Sequence, residues 1–100
     1  AQGAQAAEYL QELRDKLAEK VYNSGRFYVR RQALDAAVVY FREVVDNFPQ
    51  TRFAPMALES LVETYDRLGY VEEAEAQRER LLRDYPDSPE AQEMAAQPVG

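Results

Sequence analysis

The strongest constraint on the fold is a stretch of 34 residues, 55–88, whose pattern predicts two helices joined by a tight turn. Large apolar residues recur in its first half at three- and four-residue spacings, which places them on one face of a helix. Gly69 then stands where a helix end favours the left-handed conformation that glycine adopts without strain. A second amphipathic run follows, and Pro86 ends it because proline cannot continue the helical hydrogen-bond ladder. The expected apolar faces are Leu58, Leu61, Val62, Tyr65 and Leu68 in the first helix and Val71, Ala74, Leu81, Leu82 and Tyr85 in the second.

This hairpin resembles a tetratricopeptide (TPR) repeat in its length and in the order of its landmarks. Two positions depart from the TPR pattern. Val62 stands where a small residue is usual, and Arg78 stands where the second helix usually carries an aromatic residue. We therefore expect the packing at these positions to be looser or differently directed. The positions that match are Leu58, Leu61, Tyr65, Gly69, Ala74, Leu81 and Pro86.

The hairpin pattern occurs a second time, upstream. The pairs Phe48-Pro49 and Tyr85-Pro86 share the same flanking residue types and are offset by 37 residues, from 49 to 86. Because one hairpin cannot bury its own apolar faces, two stacked hairpins are the expected unit. The predicted fold is all-α, a single domain that forms a right-handed solenoid segment of TPR-like antiparallel helical hairpins. Its expected parts are an N-terminal helix extension over 1–17, repeat one over 18–51, repeat two over 55–88, and a short capping helix with a tail over 89–100.

The upstream hairpin is expected to begin with a long helix from Ala4 to about Arg31, followed by a helix over roughly Leu34 to Asn47. Gly25 lies inside the long helix, where glycine costs about 1 kcal/mol relative to alanine. We therefore expect a packing reason for it, namely the close approach of another helix. Thr51 or a neighbour is expected to cap the third helix, and Ser88 the last one. The expected apolar face of the long helix is Leu10, Leu13, Leu17, Val21, Ser24 and Tyr28.

The composition excludes several kinds of catalytic and metal site. The chain contains neither cysteine nor histidine, which excludes disulfides, thiolate metal sites and histidine-based catalytic triads. We therefore expect no enzyme activity, no metal and no cofactor. The formal net charge of −6 argues against nucleic-acid binding, which requires clustered excess lysine and arginine. No run of about 18 apolar residues could span a bilayer, and the opening residues lack a signal-peptide pattern, so we expect no direct membrane insertion.

Charge is unevenly distributed along the chain. Residues 1–54 carry a formal net charge of +1, whereas residues 55–100 carry −7. The first repeat is therefore suited to an acidic partner surface and the second to a basic one, at separations within a Debye length of about 8 Å at physiological salt. The alternative is that these carboxylates lie on ordinary solvated helix surfaces.

The candidate binding residues are arginines, aromatic residues and carboxylates on the predicted helix surfaces. Arg26 and Arg30 are four residues apart on one helix face and could form a basic patch for the carboxylates of a partner. The alternative is that they offset the helix dipole. Val39 and Tyr40 lie off the apolar face of their helix, which indicates contact either with another chain or with the next repeat. The expected partner-binding residues are Tyr22, Arg26, Tyr28, Arg30, Arg31, Val39, Tyr40, Glu59, Glu63 and Asp66.

Three segments carry a narrower resemblance. They are Leu-Arg-x-x-Leu-Ala at 13–18, Phe-Tyr-x-Arg-Arg at 27–31, and Ala-Ala-x-x-Tyr-Phe at 36–41, which continues to Phe48-Pro49. Generic TPR repeats lack the first two. With these motifs, residues 13–88 resemble the C-terminal half of the BamD family, TPR-type outer-membrane lipoproteins of the bacterial β-barrel assembly machinery (the BAM complex). That family commonly has glycine where Gln32 stands, and often arginine where Tyr40 stands, a position tied to docking on the barrel insertase.

The resemblance implies a non-catalytic scaffold for protein–protein interaction that docks onto the periplasmic POTRA domains of the insertase during outer-membrane protein assembly. It implies a location at the periplasmic face of the bacterial outer membrane. The family's lipid-bearing cysteine and N-terminal repeats are not in this sequence. Two alternatives remain: another periplasmic TPR adaptor, of the type that coordinates Tol-Pal with cell-wall synthesis, and a structural repeat module with no ligand of its own. Burial of Arg26, Arg30, Val39 and Tyr40 inside the fold would weaken the adaptor hypothesis.

Overall fold

The chain folds into helices joined by short connections. The computed structural model describes residues 2–97, and within that range there is no strand. Helices α1 and α2 form one hairpin, α3 and α4 form a second, and α2 packs on α3. The predicted all-α, TPR-like fold is confirmed. Residue 1 of the expected N-terminal extension and residues 98–100 of the expected tail lie outside the described residues. The helices are α1 (Gln2–Arg30), α2 (Leu34–Asn47), α3 (Phe53–Leu68), α4 (Val71–Asp84) and α5 (Pro89–Ala96).

The backbone repeats itself between the two hairpins. Gly69 ends α3 in the left-handed region with φ of 82°, and Gln32, 37 positions earlier, takes the same role after α1 with φ of 62°. The second helices also end alike. Phe48 has φ and ψ of −131° and 50°, and Tyr85 has −132° and 51°. The 37-residue offset of the sequence therefore marks a structural repeat.

The core lies between the hairpins and is closed at one end by α5. The Ser88 hydroxyl caps α5, as expected, by accepting a hydrogen bond from the backbone N–H of Ala91 at 3.0 Å. This cap sets the direction in which α5 leaves the second hairpin, so that the buried Ala91 and Met94 face the core. The buried apolar residues are Ala18, Tyr22, Ala37, Phe41, Val44, Val45, Phe53, Ala54, Ala57, Leu58, Leu61, Val62, Tyr65, Ala74, Leu81, Ala91 and Met94.

The expected apolar face of α1 is wrong over its first half. Leu10, Leu13 and Leu17 are exposed, and the buried side begins only at Ala18 and continues with Tyr22. A helix of 29 residues is about 44 Å long, roughly twice the length of α2. Every described side chain from residue 3 to residue 10 is exposed, so this end of α1 has no neighbouring helix within the described chain. Spacing thus predicts a helix face but not whether anything covers it.

Three smaller expectations are also corrected. Val71 is 72% exposed because it is the first residue of α4, where the helix has only just left the turn. Leu82 is 37% exposed, whereas its neighbour Leu81 is fully buried. Thr51 does not cap α3; its hydroxyl donates to the Phe48 carbonyl oxygen at 2.9 Å, and α3 begins after Arg52 with no side-chain cap.

The expected close approach at Gly25 is confirmed. A Cβ atom placed on Gly25 would lie 2.6 Å from Cε1 of Phe41, and the Phe41 ring is buried. Real Cβ atoms do not approach a ring carbon so closely, so only glycine allows α1 and α2 to pack around this ring. The residue that is costly for an isolated helix is therefore required by the hairpin.

Candidate functional site

Most of the predicted binding residues fall on two concave surfaces that share α1. The first, the central cleft, lies between α1 and α3 and has a volume of about 360 Å³. The second, the outer groove, is a shallower surface between α1 and α2. The central cleft is lined by Tyr22, Arg26, Val29, Arg30, Phe41, Glu59, Ser60, Glu63, Thr64 and Arg67. The outer groove is lined by Lys16, Glu19, Lys20, Asn23, Ser24, Phe27, Tyr28, Arg30 and Tyr40.

Tyr22 forms the floor of the central cleft. Its ring centroid lies 5.6 Å from that of Phe41 and 6.0 Å from that of Phe53, so the ring is fixed by two aromatic neighbours. Its hydroxyl lies 3.5 Å from the Ser60 hydroxyl across the cleft. The cleft therefore has a rigid apolar base with a polar strip above it.

The walls of the central cleft carry charges of opposite sign. Arg26 and Arg30 project from α1, and Glu59 and Glu63 from α3. Within residues 2–97, none of these four side chains has an oppositely charged group within 4.0 Å. Arg67 of α3 is engaged, because its Nη2 donates to Gln32 Oε1 at 2.6 Å. The two signs of charge thus face the same cleft without a direct ion pair between them.

Glu59 is the most perturbed acid in the central cleft. Its Oε2 atom is buried and has no hydrogen-bond partner among the described residues. Burial, together with the negative charges of Glu93, Glu63 and Glu90, raises the pKa of Glu59 from 4.5 to about 7. At neutral pH this carboxyl is therefore only partly ionised, and a cation placed against it would favour the charged form.

Aromatic rings and arginines make up the outer groove and its rim. The rings of Tyr28 and Tyr40 are stacked, with centroids 5.3 Å apart and planes 9° from parallel. Phe27 meets Tyr28 edge to face at 5.2 Å, and the guanidinium of Arg31 lies 4.7 Å from the centroid of the Phe27 ring. Arg30 lines the same groove and has no acidic partner in the described chain. This arrangement presents rigid apolar area next to positive charge.

The remaining predicted residues lie elsewhere. Val39 is 64% exposed on α2, where it borders a separate shallow surface with Arg42, Glu43 and Asp46. Asp66 is exposed on α3 and does not line the central cleft. Arg26, Arg30 and Val39 are exposed, and Tyr40 is half-buried. Since none of these four residues is buried inside the fold, their placement does not weaken the adaptor hypothesis.

Sequence reasoning missed most of the residues that line the outer groove, three of them with a clear signal. Lys16, Lys20 and Phe27 line it together with Tyr28 and Tyr40. The first two are four residues apart and Phe27 lies seven beyond the second, which is the spacing of one helix face. This spacing could have identified the groove face of α1. The leucines at neighbouring positions instead led us to assign the apolar face of α1 to their side of the helix.

Neither surface carries catalytic chemistry of a recognisable kind. The sequence lacks histidine and cysteine, and within residues 2–97 no three acidic side chains converge as metal ligands would. None of the described helices combines the length and apolar character that a bilayer crossing requires. What the two surfaces offer is charge, hydrogen-bonding groups and aromatic area.

Comparison with known proteins gives a consistent set of relatives. A family model described as outer membrane lipoprotein, YfiO, matches residues 3–81. Three curated proteins named outer membrane protein assembly factor BamD are similar to the chain. That of Rickettsia prowazekii (strain Madrid E) is 40% identical over 74 residues, which is 74% of this chain and 30% of that protein. That of Xylella fastidiosa (strain 9a5c) is 33% identical over 86 residues, which is 86% of this chain and 30% of that protein.

The third relative, from Vibrio cholerae serotype O1, is 33% identical over 69 residues, which is 69% of this chain and 29% of that protein. The chain thus spans about 30% of the length of the curated relatives that it matches. The family match covers all of α1 but its first residue, covers α2 and α3 completely, and extends to Leu81 in α4. Both surfaces described above therefore lie almost wholly inside the matched region.

Proposed function

The chain belongs to the YfiO family of outer membrane lipoproteins, and from that membership we propose that it is a non-catalytic, protein-binding part of an outer membrane protein assembly factor. The relatives from three bacteria carry the name of that factor. The proposed place of action is the periplasmic face of the outer membrane. The proposed partner is the set of POTRA domains of the β-barrel insertase, which the motif resemblance also implied.

The outer groove is the proposed docking surface. The observation that carries this assignment is the stacked pair of Tyr28 and Tyr40, held beside Phe27 and next to the positive charges of Arg30 and Arg31. Aromatic and arginine side chains contribute most of the binding energy in many protein interfaces. Because the rings already pack on each other, a partner that covers them loses little side-chain entropy on binding.

Charge supports the same assignment. Lys16, Lys20 and Arg30 line the groove, and Glu19 is the acidic residue among its lining groups. An acidic patch on the partner would be drawn to this surface and would pair with its rim. The acidic second half of the chain would repel such a patch, which orients the partner on the first hairpin.

Calorimetric titration of the chain with the membrane-proximal POTRA domains of a matching insertase tests this proposal. We expect binding that weakens between low and moderate salt. Tyr40→Ala should weaken binding at least tenfold, because it removes one ring of the stack. The double change of Arg30→Glu and Arg31→Glu should weaken binding further while leaving the helical circular dichroism signal nearly unchanged, since both arginines are exposed.

Arg83→Glu is the matched control, because this arginine is exposed on α4, outside both surfaces. It should leave the affinity within about twofold, as expected of a charge outside the interface. Binding that both groove variants leave unchanged would contradict docking at the outer groove. Loss of helicity in the double arginine variant would show that these arginines support the fold rather than the interface.

A further inference from the structure

We propose that α5 is a pH-sensitive latch, which packs on α3 while the carboxyl group of Glu59 is protonated and opens more often when that group is ionised. Opening takes Ala91 and Met94 out of the core that they close. The latch belongs to the second hairpin and does not depend on docking at the outer groove.

The attachment of α5 to the rest of the chain is slight. The helix is eight residues long and buries two side chains, those of Ala91 and Met94. The Ser88 hydroxyl caps it, and Arg78 of α4 contacts the sulfur of Met94. Within residues 2–97, no ion pair joins α5 to another helix. Short helices with so few buried side chains open locally at a low free energy.

The charged residues of α5 lie near charges of the same sign. Glu90 and Glu93 are the charged residues of this helix, and both are close enough to Glu59 of α3 for their charges to act on it. When Glu59 is ionised, the three carboxylates repel one another. That repulsion is relieved when α5 moves away from α3, so ionisation of Glu59 favours the open state.

The carboxyl group of Glu59 can remove this repulsion by taking up a proton. Its Oε2 atom is buried and has no hydrogen-bond partner among the described residues, a position that costs an ionised carboxylate more than a neutral carboxyl group. Burial, together with the acidic neighbours, raises the pKa of Glu59 to about 7. The group therefore changes its charge near neutral pH.

The direction of the pH effect follows from this pKa. Since the pKa of Glu59 is raised from 4.5 to about 7 in the folded chain with α5 docked, docking and protonation favour each other. The docked state is most favoured below pH 4.5. It loses part of that advantage as the pH rises from 4.5 to 7, and it loses no more once the carboxyl group is fully ionised.

The other charged groups around Glu59 do not form an ion pair with it. Arg26 and Arg30 face it across the central cleft, but within residues 2–97 neither has a carboxylate oxygen within 4.0 Å. Among the described residues of α2 and α4, no charged group lines this cleft. The charged and titratable groups around Glu59 are Tyr22, Arg26 and Arg30 on α1, Glu63 and Arg67 on α3, and Glu90 and Glu93 on α5.

Amide hydrogen exchange, measured by NMR on the isotope-labelled chain at pH 5 and pH 8, tests the proposal. Each observed rate is compared with the intrinsic rate of an unstructured chain at the same pH, which gives a protection factor. The Gln92 amide, which donates to the Ser88 carbonyl oxygen, reports on α5. Its protection should fall about threefold from pH 5 to pH 8. The change is limited because Glu63 stays beside Glu59 when α5 opens, and because solvent screens a half-buried carboxylate.

Substitutions on both helices make the test specific. Glu59→Gln cannot ionise, so the protection of α5 should no longer depend on pH. Glu93→Gln removes one of the repelling charges and should reduce the pH dependence, and Glu93→Lys should reduce it further. Glu79→Gln, at an exposed position of α4, is the matched control and should retain the threefold change. A threefold change that persists in Glu59→Gln would overturn the proposal.

Three other results would also overturn it. If the α5 amides exchanged only as slowly as those of α2, α5 would open only with the whole fold. Equal protection at pH 5 and pH 8 in the unsubstituted chain would show that Glu59 does not control α5. Protection that rises with pH would show that the ionised Glu59 is stabilised by Arg26 or Arg30 instead. Binding of the POTRA domains should be the same with and without Glu59→Gln, so the latch and the docking surface can fail independently.

Discussion

The two hairpins share a backbone but differ in how they fill the space between their helices. In the first hairpin, Gly25 of α1 lies against the ring of Phe41 of α2. At the positions 37 residues later, the second hairpin has Val62 and Arg78. In the first hairpin the apolar side chain comes from the second helix, whereas in the second hairpin it comes from the first helix. The comparison shows that the repeat maintains the spacing and turn geometry of its helices, whereas the side chains that fill the gap can exchange places.

As a result, α4 has fewer buried residues than α2. The buried residues of α2 are Ala37, Phe41, Val44 and Val45, whereas those of α4 are Ala74 and Leu81. In place of a buried ring, Arg78 lies half-exposed, 3.4 Å from Glu75, and contacts the sulfur of Met94 in α5. The short last helix thus contributes to the second hairpin a contact that an aromatic residue supplies in the first.

The largest expected effect contrasts the two equivalent positions of α2 and α4. Phe41→Ala should lower the free energy of unfolding by about 3–5 kcal/mol, because it removes a buried ring and leaves a cavity beside Gly25. Arg78→Ala should cost less than about 1 kcal/mol, since it removes a half-exposed ion pair and some packing. Urea denaturation followed by circular dichroism measures the free energy of unfolding of both variants. An equal loss in the two variants would show that the two positions contribute equally and would contradict the comparison.

Gly25→Ala should have the next largest effect. The new methyl group would lie 2.6 Å from a ring carbon of Phe41, so the ring or the helix must move, at a cost of about 1–3 kcal/mol. Phe41→Leu in the same chain should remove part of that cost, because a smaller side chain relieves the clash. If the two substitutions changed the free energy of unfolding additively in a double-mutant cycle, the close approach of Gly25 and Phe41 would not be the cause of the destabilisation.

The turns provide a finer test. Gly69→Ala should cost about 1 kcal/mol, because residues with a Cβ atom are strained at a φ of 82°. Gln32→Gly should relieve the same strain in the first hairpin but lose the 2.6 Å hydrogen bond to Arg67, so its net effect should be a few tenths of a kcal/mol. Thermal unfolding of the two variants compares the turns, and a large loss for Gln32→Gly would show that the hydrogen bond dominates.

The smallest effect concerns the acidic side of the central cleft. Because the pKa of Glu59 is raised from 4.5 to about 7 in the folded chain, the folded state binds its proton more tightly than the unfolded state does between those values. The contribution of Glu59 to stability should therefore fall as pH rises from 4.5 to 7 and stay constant above 7. Because Glu59 is only half-buried and solvent screens its charge, the effect should be small: relative to the unsubstituted chain, Glu59→Gln should gain about 1–3 °C in Tm over this range. Glu79→Gln should show no such trend.

Much of the fold could be predicted because its signals are local. Gly69 and Pro86 mark the ends of helices through their own backbone chemistry, and the 37-residue offset shows where the pattern recurs. Gly25 could even be assigned a packing role, because an unfavourable residue in a helix needs a compensating contact. Membership of the family, which three short motifs indicated, is confirmed by the matches.

The predictions that failed are those that depend on how the helices pack against one another. Leu10, Leu13 and Leu17 have the spacing of a buried face, but α1 is longer than the helices that pack on it, and periodicity cannot measure a neighbour's length. The site was predicted as one group of residues, whereas the structure divides most of them between two surfaces of α1 and places Val39 and Asp66 on neither. That division depends on how α2 and α3 are placed around α1, which no local pattern contains.

Site-specific photo-cross-linking tests the central claim, docking at the outer groove, most directly. A photoreactive amino acid would replace Asn23, an exposed residue that lines the groove, or Glu79, an exposed residue of α4 outside both surfaces. With the POTRA domains present, we predict a cross-linked product from position 23 and none from position 79. A product from position 79 without one from position 23 would contradict the account, because the partner would then lie on the second hairpin.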